Sequence, residues 1–246
     1  MSFNVRGLNV YGQIPTENLQ DSIFNFILKE DPDIVAIQEA HHTLEEITQL
    51  DLKYPYKYVD FNFILPRERV INALYCKYPV LSVDAIKFPE SSNGALFADI
   101  LMQEDTVRFY NVHLQSFKVV PKVDYFQNEE SGKLLKRINK VLQQQEEQSL
   151  IIQEHVINSP YPVILSGDFN NTQFSKVYRV MRSNLQDSFL EAGAGFGKTF
   201  KIFGLPMRID YIFADEHFEI TTHTNYNIEL SDHEPIMAKI RLIPNE

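Results

Sequence analysis

The chain has 246 residues, 44% of them apolar and 23% charged, with 9 Gly, 12 Pro and one cysteine, Cys76. These proportions exclude a collagen-like chain, low-complexity disorder and a disulfide scaffold, and a chain of this length buries roughly 70% of its unfolded surface without a cross-link. The 23 Lys and Arg against 33 Asp and Glu give a net charge of −10, so no overall field draws the chain to polyphosphate and a sequence-specific DNA binder is disfavoured.

In chain order, Ser2–Val5 reads as a short strand. Nothing leads into it, which is expected of a trimmed stretch or a fragment of a longer chain, and leaves location, a membrane tether or export included, open. Within the chain no apolar run approaches the roughly 18 residues of a membrane span, and no signal-peptide pattern is present. The expectation is one soluble catalytic domain over residues 1–246. Glu17–Lys29 places Leu19, Ile23, Phe26 and Ile27 at helical spacing, with Thr16 as cap and Asp31-Pro32 as stop. Asp33–Gln38 is a buried strand closed by Glu39. Tyr54, Tyr56 and Tyr58 alternate, and either line a groove edge or pack in the core. Lys57–Phe63, Asn72–Cys76 and Leu81–Phe88 are further strands, and Ala95–Met102 pairs with Thr106–Leu114 as a hairpin around Gln103-Glu104-Asp105.

The longest helix spans Lys133–Asn158, with Leu134, Ile138, Val141, Ile152 and Val156 on one face. Gln145 and Gln148 fall on that same face, where they either reach a polar site or bond to backbone in the core. Gln148 and Arg137 lie at nearby helix angles and are candidates to support a site from behind. Lys133, Lys136, Arg137 and Lys140 read as a solvated helix face. Tyr161–Ser166 is a strand, Phe174–Arg182 a helix and Arg208–Ala214 a strand, and Glu219–Asn227 with Pro235–Leu242 is the closing pair. Gly193–Lys198 is glycine-rich but lacks the Ser/Thr of a P-loop, so it reads as a flexible loop near the site. This mixed order predicts two sheets with helices outside.

Polar residues gather where apolar strands end: Glu39 after DIVAIQ, His113 in FYNVHLQS, Asp168 and Asn170 in PVILSGDFN, Asp210 in MRIDYIF, and Asp232-His233 in LSDHEP. Ligands of α/β proteins collect at such strand ends. Glu39 and Asn4 offer the hard oxygens that suit Mg²⁺. Asp168 can take a proton from water, Asn170 and His113 can donate to charge growing on a phosphate oxygen, and His233 beside a carboxylate is an oriented, charged imidazole. No thiolate cluster, HExxH, P-loop or GxGxxG is present, which disfavours zinc and nucleotide-loop chemistry.

The ordered set SFNVRGLN, DIVAIQE, NVHLQS, SGDFN, RIDYIF and SDHEP, running from residue 2 to residue 236, resembles the endonuclease/exonuclease/phosphatase superfamily. The resemblance implies a four-layer α/β/β/α sandwich with two packed mixed sheets. It implies Mg²⁺, with Mn²⁺ as a substitute, held mainly by Glu39 with Asn4 and Asp232 near it, and in-line attack of water on phosphorus. Asp168 would orient or deprotonate the water with Asn170 bracing it, Asp210 would orient His233, and His233 and His113 would contact the phosphate. Arg6 and Asn111 are read as substrate-binding. Arg6 stands where some branches carry an acidic residue, so it is either a cation facing substrate or half of a surface ion pair.

The superfamily fixes a reaction class and not a substrate. The absence of Trp argues against the abasic-site branch, and the tryptophan-and-cysteine signature of inositol polyphosphate 5-phosphatases is missing. Three readings follow. A hydrolase of a small-molecule or lipid-headgroup phosphoester, a diester in the first instance, fits the acidic balance. A nuclease would have to hold nucleic acid with the metal and a few cations such as Arg6, Lys118 and Arg137. A non-catalytic binding module is disfavoured by the intact set of site residues.

Overall fold

The computed structural model describes residues 1–10, 12, 14–46, 48–59, 71–117, 131–202 and 204–244. Two six-stranded sheets pack face to face. The first has the order β13-β14-β1-β2-β4-β3, from β1 (Ser2–Asn4), β2 (Ile34–Ala40), β3 (Tyr56–Val59), β4 (Ile71–Cys76), β13 (Phe218–Asn225) and β14 (Ile236–Leu242). The second has the order β5-β6-β7-β8-β12-β9, from β5 (Val80–Lys87), β6 (Gly94–Met102), β7 (Asp105–His113), β8 (Val163–Asp168), β9 (Gln186–Asp187) and β12 (Asp210–Ala214). Each sheet holds one parallel pair, β1 with β2 and β7 with β8, among antiparallel neighbours. A separate hairpin pairs β10 (Phe200–Ile202) with β11 (Leu205–Met207).

Alternation along the strands sorts the apolar residues into three layers. On β2, Val35 and Ile37 face helix α1 (Leu19–Glu30), joining Phe3, Ile23, Phe24 and Ile27. Ile34 and Ala36 face inward, to Leu74 on β4 and to Phe109, Ile164 and Ile212 of the second sheet. Helices α2 (Ser131–Ile157) and α3 (Lys176–Arg182) cover the other side, where Ile152, Val156, Val177 and Met181 meet Tyr110, Val112, Leu165 and Phe213. Each such fully buried side chain contributes about 1.5–3 kcal/mol. The short helix α4 (Ser188–Ala192) begins at Asp187, whose carboxylate caps the Phe189 N–H and pairs with the buried Arg208 guanidinium at 2.8 Å.

Polar clasps cross the apolar middle. Asn111 donates through Nδ2 to the carbonyls of Ile37 and Ala73, both at 2.9 Å, and its Oδ1 accepts from Gln38 Nε2 at 2.7 Å. Gln38 also donates to Ser2 Oγ. The sequence reading puts Asn111 on the substrate, whereas the structure places it between the sheets. It is fully buried, and its amide nitrogen and oxygen are both engaged in fastening the sheets.

Several boundaries differ from the sequence expectation. Helix α1 starts at Leu19 behind Asn18 in a left-handed conformation, and no side chain caps it, Thr16 included. The strand expected over Tyr161–Ser166 is β8, ending on Asp168 itself. Phe174 is exposed and precedes α3, which Ser175 caps through the Tyr178 N–H. Of Lys57–Phe63, residues 60–63 lie outside the described residues. Tyr54 packs in the core with its hydroxyl on the Pro32 carbonyl, and Tyr56 and Tyr58 pack against the layer between the sheets, which is the packing reading of that trio. Among the described residues no helix is long and apolar enough to cross a membrane.

The β7–β8 approach depends on Gly167. Its φ is +140, and a Cβ there would stand 1.9 Å from the Val112 carbonyl oxygen. Gly167→Ala is expected to lower the unfolding free energy by about 3 kcal/mol or more, read from urea denaturation. Wild-type stability in that variant would show that the two strands tolerate separation.

Candidate active site

Strand register assembles the central row. His113 at the end of β7 lies beside Asp168 at the end of β8, which lies beside Asp210 at the start of β12. From the first sheet, Asn4 ends β1, and its amide Nδ2 donates to Glu39 Oε1 at 3.1 Å and to Asp168 Oδ2 at 3.0 Å. Its carbonyl oxygen, the atom a metal would use, accepts from the Arg6 backbone N–H. Glu39 sits where β2 and β4 slip register, with a φ of 49°. Such a bulge re-aims a side chain, and here it accompanies a carboxylate that is about one-third exposed and lies 3.8 Å from His113 of the second sheet. Asn170 is also left-handed, with a φ of 50°. Its backbone N–H donates to Asp168 Oδ1 at 2.8 Å, and its side-chain amide donates to the Leu114 carbonyl at 3.0 Å. Glu39 and Asn170 therefore hold backbone conformations that few non-glycine residues adopt.

The imidazoles divide into two states. Both His233 nitrogens face carboxylates: Nδ1 lies 3.0 Å from Asp210 Oδ2 and Nε2 lies 3.7 Å from Asp168 Oδ2. Burial would lower its pKa, but Asp210 and Asp168 outweigh burial and hold it up at about 10. His113 is 1% exposed, with Nε2 3.6 Å from Asp168 and 3.8 Å from Glu39. Burial pushes its pKa down to about 4, opposed in part by Asp168. It is thus a neutral ring at pH 7, and neither nitrogen has a hydrogen-bond partner among the described residues. Asp168 is raised by burial and by Asp210, with His233 opposing.

Ligand atoms of Glu39, His113 and Asp168 lie within 4.8 Å of one another, as do those of Asp168, Asp210 and His233. Two carboxylates joined by one amide, beside an unpartnered neutral imidazole, fit a hard divalent ion carrying water or phosphate oxygen. Asp232, expected near the metal, belongs to neither group. It pairs with Arg6 at 2.9 Å, both being about one-third exposed. Arg6 is thus half of an ion pair, and the pair lines the cleft.

That cleft is about 480 Å³. Arg6, Glu39, Asn170, Asp232 and His233 line it. Phe117, Phe200, Ile202, Met207 and Ile209 line it as well, mostly from the β10–β11 hairpin. Sequence reasoning missed this hairpin, whose three-residue strands give too short a pattern. It also missed Thr199, whose hydroxyl accepts from the N–H groups of Ile209 and Asp210 and so fixes the start of β12. The Phe200 ring lies 4.8 Å from the His233 ring. Gly193–Lys198 leads into this wall and cradles no anion site: Gly193 and Gly197 pack closely on the Phe189 ring, and Lys198 pairs with Glu234. Lys118 lies outside the described residues.

Residues 1–233 match the Endonuclease/Exonuclease/phosphatase family, and the chain belongs to it. The family hydrolyses phosphoester bonds with a divalent metal. No curated protein matches in sequence. Among solved structures, a Bacteroides thetaiotaomicron endonuclease/exonuclease/phosphatase family protein superposes with a TM-score of 0.76 at 16% identity, over 97% of this chain and 95% of that one. D. rerio TDP2, complexed with a single-strand DNA product, gives 0.75 at 16%, over 98% and 97%. A B. thetaiotaomicron mannosyl-6-phosphatase gives 0.71 at 16%, over 98% of each. These likenesses show the four-layer fold.

In metal-free protein the His233 ring is expected to stay charged until pH rises to about 10, and Asp210→Asn should bring it back toward an ordinary histidine. Because the folded value lies above the unfolded one, its contribution to stability is full below roughly pH 6.5 and is lost as pH rises through the folded value. Ring-proton NMR reads both; titration of wild-type His233 near 6.5 would sink the assignment.

Proposed function

We propose that this chain is a divalent-metal-dependent hydrolase of a small or lipid phosphoester, a diester in the first instance. The observation that carries the reading is a cleft lined both by polar groups, Glu39, Asp232 and His233 among them, and by Phe117, Phe200, Ile202, Met207 and Ile209. Arg6 is the one Lys or Arg lining the cleft among the described residues, beside the charged His233 ring, and Asp232 already pairs with Arg6. A nucleic-acid backbone needs several phosphate contacts for stable binding.

Glu39 would hold the ion, Mg²⁺ or Mn²⁺, and Asn4 would keep its carboxylate beside Asp168. Bound there, the ion supplies positive charge to a phosphate oxygen and to the leaving group. Asp168, held basic by burial, orients a water for in-line attack and accepts its proton. Asn170 fixes that carboxylate through its backbone N–H. His233, oriented and kept cationic by Asp210, donates to a phosphate oxygen on which charge develops. His113 presents a neutral ring N–H to the same phosphate, and Arg6 contacts the substrate from the cleft edge. The apolar wall receives the uncharged part of the ester.

Glu39→Ala is expected to abolish Mg²⁺ activation with little change in melting temperature, because its side chain is about one-third exposed. His233→Ala should lower turnover about 10²-fold or more. Both are measured on bis(p-nitrophenyl) phosphate. A near-normal rate in His233→Ala would remove it from the chemistry.

Plasmid nicking separates the substrate classes. With Mg²⁺, no nicking is expected at low or moderate salt, while a panel of headgroup diesters is cleaved. Nicking that disappears in Asp168→Asn and falls steeply with salt would make the chain a nuclease instead.

A further inference from the structure

Two buried glutamines of α2 touch no residue assigned to the chemistry through its side chain, yet they meet the loop that carries His113. The β7–β8 ladder stops at His113 beside Asp168, so the next backbone groups lose their strand partners and must find others. The Leu114 N–H still donates to the Asp168 carbonyl, and the Leu114 carbonyl accepts from Asn170 and Asn93. Gln115 is held from the helix. Its N–H donates to Gln148 Oε1 at 2.8 Å, and its carbonyl accepts from Gln145 Nε2 at 2.6 Å. Gln145 Nε2 also reaches the Asn170 carbonyl at 3.4 Å. These partners fix the amide orientations: Gln145 faces two carbonyls and must present nitrogen, while Gln148 faces an N–H and must present oxygen. Gln145 is fully buried and Gln148 2% exposed. Gln145 Oε1 and Gln148 Nε2 have no partner among the described residues.

We propose that Gln145 and Gln148 are positioning residues, which replace the ended strand ladder and hold the His113 and Asn170 loops at one spacing across Asp168. The inference rests on the proposed hydrolase reading. Its geometry also explains how Ser116 and Phe117, the next residues, come to line the cleft. A shift of about 1 Å in a reacting group can cost about 10²-fold in rate, so a loop released from α2 should lose turnover before it loses fold.

The test compares Gln145→Leu, Gln148→Leu and Gln148→Glu with Ile152→Val, a core change on the same helix, on bis(p-nitrophenyl) phosphate with Mg²⁺. Gln148→Glu keeps an acceptor for the Gln115 N–H and gives up the nitrogen that has no partner among the described residues. Expected are kcat losses of about 10-fold or more in both Leu variants with KM within about 2-fold, well below their melting temperatures. Gln148→Glu should recover most of the rate, and Ile152→Val should lower the melting temperature while keeping kcat. The proposal is overturned if the Leu variants keep wild-type kcat, if their losses follow melting temperature as in Ile152→Val, or if Gln148→Glu is as slow as Gln148→Leu. A wild type that hydrolyses no phosphoester would refute the hydrolase reading alone. The ring-proton NMR signals of His113 then decide the positioning role: they should move or broaden in both Leu variants and stay in place in Ile152→Val, and unchanged signals in the Leu variants overturn it.

Discussion

A buried carboxylate at the meeting point of two sheets governs this structure. Asp168 is 1% exposed, and an isolated charge in such a place costs far more than one domain can offset. Its surroundings answer that cost one bond at a time. The Asn4 amide and the Asn170 backbone N–H donate to it, and the imidazoles of His233 and His113 stand at 3.7 and 3.6 Å. Each partner comes from a different segment of the chain, so satisfying one carboxylate draws β1, β7, the loop after β8 and the segment before β14 to one place.

The same demand shapes the backbone around it. Gly167 lets β7 and β8 come close enough for His113 and Asp168 to lie abreast. Glu39 and Asn170 occupy left-handed conformations, which persist only where the surroundings over-determine them. Between the sheets, Asn111 and Gln38 fasten the halves a few residues from Asn4 and His113. The rim is therefore rigid where its two halves join, and glutamines from α2 continue that fastening past the end of the ladder.

The two histidines show how one pocket holds opposite protonation states. His233 lies between Asp210 and Asp168 and is held charged, whereas His113 is equally buried and held neutral. A phosphate entering beside Asp168 would meet a cation on one side and a neutral donor on the other. The apolar lining of the cleft comes mostly from the short hairpin and not from the two large sheets.

The sequence by itself determined the family, the two-sheet architecture and most of the residues that the fold brings together: Asn4, Glu39, His113, Asp168, Asn170, Asp210 and His233 all stand at strand ends or in short turns with recognisable neighbours. Strand pattern and chain order carry that information because alternation and turn residues are local. Tertiary structure decided what depends on register and approach. Asn111 sits in a site motif yet bonds between sheets, since facing is set by pairing with β4 and β2. Asp232 sits beside His233 yet pairs with Arg6, from 226 positions earlier in the chain. The glutamines of α2 carried two readings until the fold placed both over Gln115, where they bond to backbone and support the site by doing so. The apolar wall was illegible because three-residue strands leave no periodicity, and only the folded chain turns them toward His233.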